Sequence, residues 1–419
     1  MSLDPKWIRA HFPSVHSAET IFFDNPGGTQ VTQSVMDAIT NYYLTANANH
    51  GGAFPTSARS DEFIRQARIA FADFLNAARP EEIAFGPNMT TLTFQISRVL
   101  GRWLNAGDEI IVTRLDHDAN IAPWVALEER GVVIKRVDIN QDDCTLDMSD
   151  FENQLSDKTR IVAVGLASNA VGTVNPVRAI SDLAHMAGAF VYADAVAYAP
   201  HYPIDVQELY VDFLACSAYK FYGPHLGILY GKHAHLERLQ AYKVRPAENV
   251  PPHKFETGTQ SFESIAGAAA AVNYLASVGE KFGAPFANNY PAFEGRRLHL
   301  KTAMRATQQY EKNLFIRLMN GLRELPNIRI YGITDYARFD YRAPTAAFNL
   351  DGHPPRAIAE KLGEQNINVW DGNYYALSLM ERLDLEATGG AVRIGLAQYN
   401  TAEEIERLLI ALREIVHGK

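Results

Sequence analysis

The segment Ser217-Ala218-Tyr219-Lys220-Phe221-Tyr222-Gly223-Pro224 puts a lysine among aromatic residues, directly after the apolar run Phe213-Leu214-Ala215-Cys216. Desolvation at such a place lowers an amine's pKa and leaves it neutral, the form that attacks a carbonyl to give a Schiff base. Taken alone, the motif also suits a lysine snorkelling from the rim of a core. The run Phe190-Val191-Tyr192-Ala193 ends in Asp194, about one strand-and-helix unit earlier in the chain. A carboxylate there keeps a pyridine nitrogen protonated, which makes pyridoxal phosphate an electron sink. By itself it equally caps a helix.

Four more segments point the same way. Asn88-Met89-Thr90-Thr91 opens a helical stretch after the run 83–85. Free backbone N–H groups and hydroxyls at a helix start form an anion site suited to a phosphate. Asp116-His117-Asp118-Ala119-Asn120 follows the run 110–113 and offers an imidazole to stack on a planar ring. Ser168-Asn169-Ala170-Val171-Gly172-Thr173 follows the run 161–166, and Asn169 has donors for a ring hydroxyl or a substrate carboxylate. Arg393 lies between Val392 and Ile394 inside an apolar run. Its bidentate fork fits an amino-acid carboxylate, with an internal Asp or Glu as the alternative partner.

These segments need a frame to hold them. Apolar runs at 83–85, 110–113, 132–137, 161–166, 190–193, 213–217 and 228–230 alternate with helical stretches such as 91–104, 122–129 and 177–186. Strands alternating with helices predict an α/β domain with a mainly parallel, seven-stranded sheet covered on both faces. Such sheets bind ligands beyond the carboxyl ends of their strands, where most of the segments above fall. After an alanine-rich stretch at 264–279 the pattern changes to a long helix at 293–325. Shorter strands (328–331, 346–350, 368–370, 392–396) and helices (355–364, 402–416) follow. The division expected is a large domain over 20–290 and a smaller α+β domain formed by 1–19 and 291–419. Asp4-Pro5 reads as an N-cap followed by a proline in the first helical turn.

Composition removes other classes. The 419 residues are 47% hydrophobic and 21% charged, an ordinary globular composition. The net charge of −9 is spread without a basic block, which argues against nucleic acid as a partner. Two cysteines, Cys144 and Cys216, are too few for a disulfide framework or a cysteine-rich zinc site. No G-x-G-x-x-G, P-loop, G-x-S-x-G or H-E-x-x-H pattern is present. His233-Ala234-His235 has no third ligand nearby, so no metal is expected. The N-terminus lacks the apolar core of a signal peptide, and the stretch 264–279 is too short to span a bilayer. No membrane partner is expected, and a cytoplasmic, reducing location is the default.

The motif order Phe23-Asp24-Asn25, Asp116 to Asn120, Ser168 to Thr173, Asp194, Ser217 to Pro224 and Phe255-Glu256-Thr257-Gly258-Thr259 resembles the class V aminotransferases. Within them the cysteine desulfurase and selenocysteine lyase group is most similar, from about residue 20 to Tyr399-Asn400-Thr401. The resemblance implies the aspartate-aminotransferase-like fold type I and pyridoxal phosphate as cofactor. It implies Lys220 as the Schiff-base lysine, Asp194 on the ring nitrogen, and His117 stacked on the ring with Asn169 beside it. Thr90, Ser217 and Tyr219 would contact the phosphate, and Thr259 would reach it from the second subunit of a homodimer. Arg393 would bind the carboxylate of a small amino-acid substrate.

Some positions depart from the family pattern. Tyr375, in Val369-Trp370-Asp371-Gly372-Asn373-Tyr374-Tyr375-Ala376, stands where desulfurases carry the cysteine that takes sulfur as a persulfide. A phenol cannot accept sulfane sulfur, and Tyr375 is expected at the substrate side instead. Tyr219 replaces the family histidine before the lysine, Ala197 replaces a glutamine that bonds the ring oxygen, and Gly51 replaces an arginine. The expected reaction is Cα-proton abstraction followed by β-elimination, as in a C–S lyase. Transamination and epimerisation on the same frame stay open, and a non-catalytic scaffold is the remote alternative.

Overall fold

The computed structural model describes residues 3–16 and 19–418. Met1, Ser2, Ser17 and Ala18 of the segment 1–19 lie outside these, as does Lys419. The seven apolar runs form one sheet: β1 (Ile83–Gly86), β2 (Glu109–Thr113), β3 (Val133–Val137), β4 (Thr159–Gly165), β5 (Phe190–Asp194), β6 (Phe213–Ser217) and β7 (Gly227–Gly231). Their order across the sheet is β1-β7-β6-β5-β4-β2-β3. Only β7 runs against its neighbours, so six strands point their carboxyl ends the same way. Every residue of β6 and β7 is buried, which is why these segments read as unbroken apolar runs.

Register decides which strand ends meet. Gly165 of β4 lies opposite Asp194 of β5, and Asp194 lies opposite Ala215 of β6. The helix α1 (Met89–Gly101) follows β1, with Asn88 as its N-cap. The alanine-rich stretch becomes α2 (Phe262–Phe282), and the long charged helix becomes α3 (Gly295–Arg323).

A second sheet holds β8 (Ile328–Tyr331), β9 (Thr345–Leu350), β10 (Trp370–Gly372) and β11 (Ala391–Gly395), ordered β8-β9-β11-β10 and antiparallel throughout. The strand expected at 368–370 divides. Ile367–Asn368 pairs in parallel with Ile21–Phe22, whereas Trp370 begins the strand on Arg393. The helix expected at 122–129 is a single α-turn, Ala122–Val125, continued by the 3-10 turns Ala126–Arg130. At the N-terminus the Asp4 carboxylate accepts from Lys6 N at 2.9 Å, with Pro5 opening the helix. That helix packs Trp7 on Phe282 of α2, and its Arg9 pairs with Glu404 at 2.6 Å. Among the described residues no helix is long and apolar enough to cross a membrane.

Candidate active site

Strand β6 delivers its chain at Ser217, and a single 3-10 turn, Ala218–Lys220, brings the lysine over the sheet edge. The Lys220 ammonium donates to the carbonyl oxygens of Pro26 and Gly27. Burial pushes its pKa down to about 7, the Arg393 charge adds to this, and Asp194 opposes it. Asp194 closes β5, and its Oδ1 accepts from Val196 N at 2.8 Å. Burial raises the Asp194 pKa to about 6 against the pull of that N–H and of Lys220.

One residue of the site gave no signal as a chemical group in the sequence. Asp116 is buried beneath the loop after β2, with Oδ1 accepting from Gly165 N at 2.6 Å and Oδ2 from Thr113 Oγ at 3.0 Å. Burial and then the Asp194 charge push it up to about 8. Burial thus pushes both carboxyls up, Asp116 further than Asp194, so Asp116 is the one of the pair that favours its proton at neutral pH. The spacing Thr113-x-x-Asp116 at a strand end was the available clue.

His117 follows directly. Its Nδ1 accepts from Ala119 N at 2.9 Å, which puts the proton of the neutral ring on Nε2. Burial, Lys220 and Arg393 lower its pKa to about 4. At neutral pH it is an uncharged, oriented plane.

At the rim, Met89 N of α1 donates to Ser217 Oγ at 3.1 Å, and Asn88 Oδ1 accepts from Thr91 N at 2.8 Å. Thr90 is left exposed on the first turn. The close approach of this helix start to the sheet needs Gly227, whose Cβ would lie 2.4–2.8 Å from Asn88 backbone atoms. Tyr219 stacks on His225 at 5.0 Å and presents its ring to the Lys220 ammonium at 5.0 Å.

Arg393 makes no ion pair with a carboxylate among the described residues, although the Asp24 charge is near enough to act on it. Its Nη1 donates to Asn169 O at 2.7 Å, its guanidinium lies 4.2 Å from the centre of the Tyr374 ring, and its buried Nε has no partner. Asn169 in turn donates to Tyr374 O at 2.8 Å, leaving its own Oδ1 buried and unpartnered. Tyr374 and Tyr375 both have positive φ, 56° and 59°. Tyr375 is 73% exposed and stacks on His117 with centroids 5.5 Å apart. Asp118 N holds its carbonyl at 2.7 Å.

Thr90, His117, Asn169, Asp194, Ser217, Tyr219 and Lys220 thus line one cavity, joined by Asp116, with about 550 Å³ of open space to its mouth. Arg393 adjoins it through Asn169, and Tyr375 through His117. Thr259 sits outside this lining, in an exposed bend. Cys144 and Cys216 are buried elsewhere, and burial raises the pKa of both. His235 Nε2 donates to Asp212 Oδ1 at 2.8 Å, and no metal-binding cluster of three ligands occurs among the described residues. Pyridoxal phosphate suits this donor set: a carboxylate for its ring nitrogen, a depressed lysine for its aldehyde, and a helix start with hydroxyls for its phosphate. The unsatisfied Asn169 Oδ1 marks a side chain turned to a group that the protein itself does not supply.

A family model described as aminotransferase class V matches residues 21–283 and 294–408. A probable cysteine desulfurase of Synechocystis is 32% identical, covering 98% of this chain and 95% of that protein. Aminotransferase-like protein FGM3 of Gibberella zeae is 31% identical over 98% of each. Some relatives are longer, and the chain covers 64% of a Synechococcus elongatus cysteine desulfurase. Among solved structures, the apo cysteine desulfurase of Thermococcus onnurineus NA1 superposes with a TM-score of 0.87 at 27% identity, covering 99% of this chain and 98% of the other. The large seven-stranded sheet with a smaller second sheet is the fold-type-I, aspartate-aminotransferase-like architecture. The chain belongs to the class V aminotransferases and is a pyridoxal-phosphate enzyme that acts on an amino acid.

Proposed function

We propose that the protein removes a sulfur- or selenium-bearing β-substituent from an amino acid and forms no persulfide on the way. The carrying observation is that the side chain standing over His117 is the phenol of Tyr375, while both thiols are buried away from the cavity. Arg393, whose Nε has no protein partner, binds the substrate carboxylate and fixes which Cα bond is aligned for cleavage. Lys220, neutral above about pH 7, takes the Cα proton. Bound pyridoxal phosphate supplies the conjugated ring that accepts the electron pair released there. Asp194 would hold the cofactor's ring nitrogen protonated, and Asp116 beside it, the carboxyl that favours its proton, would keep the pair's charge single. His117 and Asn169 flank the ring, and Thr90, Ser217 and Tyr219 hold the phosphate. Thr259, outside its own chain's cavity, serves the site of a second copy in a homodimer.

The test is the visible spectrum of the loaded protein during addition of a panel of amino acids that includes L-cysteine and L-alanine. Pyruvate with sulfide released from L-cysteine supports the lyase. Loss of the visible band with one equivalent of keto acid marks an aminotransferase instead. Lys220→Ala should abolish the band and all turnover, and full activity in that variant would overturn the mechanism.

A further inference from the structure

A second, narrower cavity of about the size of a water molecule lies beside the first, and Asn169, Val196, Ala197 and Lys220 border both. Its other end is closed by His201, a buried residue on the same loop as Asp194. His201 Nδ1 lies 2.8 Å from Glu311 Oε2 of α3, and its Nε2 has no protein partner among the described residues. Glu311 is buried as well, and its Oε1 is unpartnered. Beyond the pair, a third small cavity is bordered by His201, Glu311, Gln308 and Lys312. Lys312 is partly exposed and pairs with the exposed Asp340 at 2.8 Å. His201 is therefore the wall shared by a cavity on Lys220 and a cavity leading toward the surface.

A buried His–Glu pair with an open oxygen is costly to maintain for packing alone. It stands where a proton acceptor is needed. Lys220 must shed a proton before it condenses with an aldehyde, and again after each proton it takes from a substrate. Its own hydrogen-bond partners are the carbonyls of Pro26 and Gly27, which hold a proton donor without accepting the proton. His117 is held neutral and is a poor acceptor. Ala197, which lines both cavities, puts only a methyl group between them.

We propose that His201, backed by Glu311, relays protons between Lys220 and solvent, an inference that rests on Lys220 being the reacting amine. One proton leaves the Lys220 ammonium through a water to His201 Nε2, and the Nδ1 proton shifts to Glu311 and from there outward. Lys220 is left as the neutral amine, with no bond to carbon made or broken by the relay. The charged or titratable groups around the ring are Glu311 and Lys312 of α3, Tyr202 on its own loop, Arg342, and Lys220.

The experiment mixes cofactor-free protein with pyridoxal phosphate and follows the growth of the visible band between pH 6 and 8, in H2O and D2O. Condensation needs the neutral amine, so the ammonium must first give up a proton, and one is taken back when the adduct loses water to leave the protonated imine; relay loss therefore slows growth of the band without changing its final amplitude. His201→Gln should slow the band by about a hundredfold, the scale of a positioned acid–base group. Glu311→Gln should slow it less, and added imidazole should restore the rate in His201→Gly. Wild-type rates and an unchanged solvent isotope effect in the Gln variants would overturn the relay. So would a slow His201→Gly that imidazole does not rescue, since that behaviour belongs to a structural residue. If His201→Gln fails to fold, as judged by circular dichroism, Glu311→Gln decides alone. Lys220→Ala separates the two readings: the same band in that variant overturns Lys220 itself, whatever His201 does.

Discussion

Asp116→Asn should change the stability of the cofactor-free protein in a way that depends on pH. The Asp116 carboxyl has a pKa near 3.8 when unfolded and is pushed to about 8 in the fold, by burial first and the Asp194 charge second. A folded-state pKa raised in this way contributes stability that is full below about pH 4 and is lost as pH rises through about 8. In that window the unfolded chain holds fewer protons than the folded one, so stability falls by about 1.4 kcal/mol per pH unit from this group. Across the whole window the loss approaches roughly 6 kcal/mol, a large share of the stability of an ordinary domain. Asparagine mimics the protonated acid. Its oxygen can accept from Gly165 N, and its amide can donate to Thr113 Oγ in place of the bond that the hydroxyl now donates. Urea unfolding of both proteins at pH 5, 6, 7 and 8 should therefore show the variant gaining on wild type by about 1.4 kcal/mol at each of the first two steps and by about 1 kcal/mol at the last, where Asp116 itself begins to ionise. An infrared difference spectrum of wild type minus variant at pH 7, above the Asp194 range, should carry the carbonyl band of a protonated acid that Asp116→Asn removes. Stability curves that stay parallel from pH 5 to 8 would refute a neutral Asp116, and with it the single charge assigned to Asp194.

Other substitutions test the rest of the site. Arg393→Lys keeps the charge and loses the fork, so KM for the amino acid should rise about thirtyfold, near 2 kcal/mol, with a smaller change in kcat. Gly227→Ala drives a methyl group against the Asn88 backbone and should weaken cofactor affinity by about 1–3 kcal/mol, read by titration of the visible band. Arg68→Met strands Glu256, which Arg68 holds at 2.6 and 2.8 Å inside the fold, and should cost about 3–5 kcal/mol in denaturant unfolding. The double variant Arg68→Met with Glu256→Leu should recover most of that loss.

Much of the frame was legible because its causes are local. A strand buried on both faces is a short apolar run whatever surrounds it, so all seven strands of the large sheet fall where the runs lie. Lys220, Asp194, His117 and Asn169 stood out because each follows such a run, and parallel strands bring their carboxyl ends to one side. The run at 368–370 misled because one continuous apolar stretch serves two sheets, a switch made by pairing with residues distant in the chain.

The sequence by itself determined the strands, the lysine at the end of one, and the carboxylate at the end of another, since each is written in neighbouring residues. Only the tertiary structure decided their chemical states. Lys220 titrates near 7 and Asp116 near 8 because burial and charge are summed over neighbours from several strands and loops. Arg393 keeps its Nε unpartnered because the Tyr374 ring packs on its guanidinium while the Asp24 carboxylate makes no ion pair with it. His201 reaches the Lys220 side because a loop after β5 and a helix more than a hundred residues later close on the same small space. Desolvation is a property of that enclosure, and no stretch of sequence contains it.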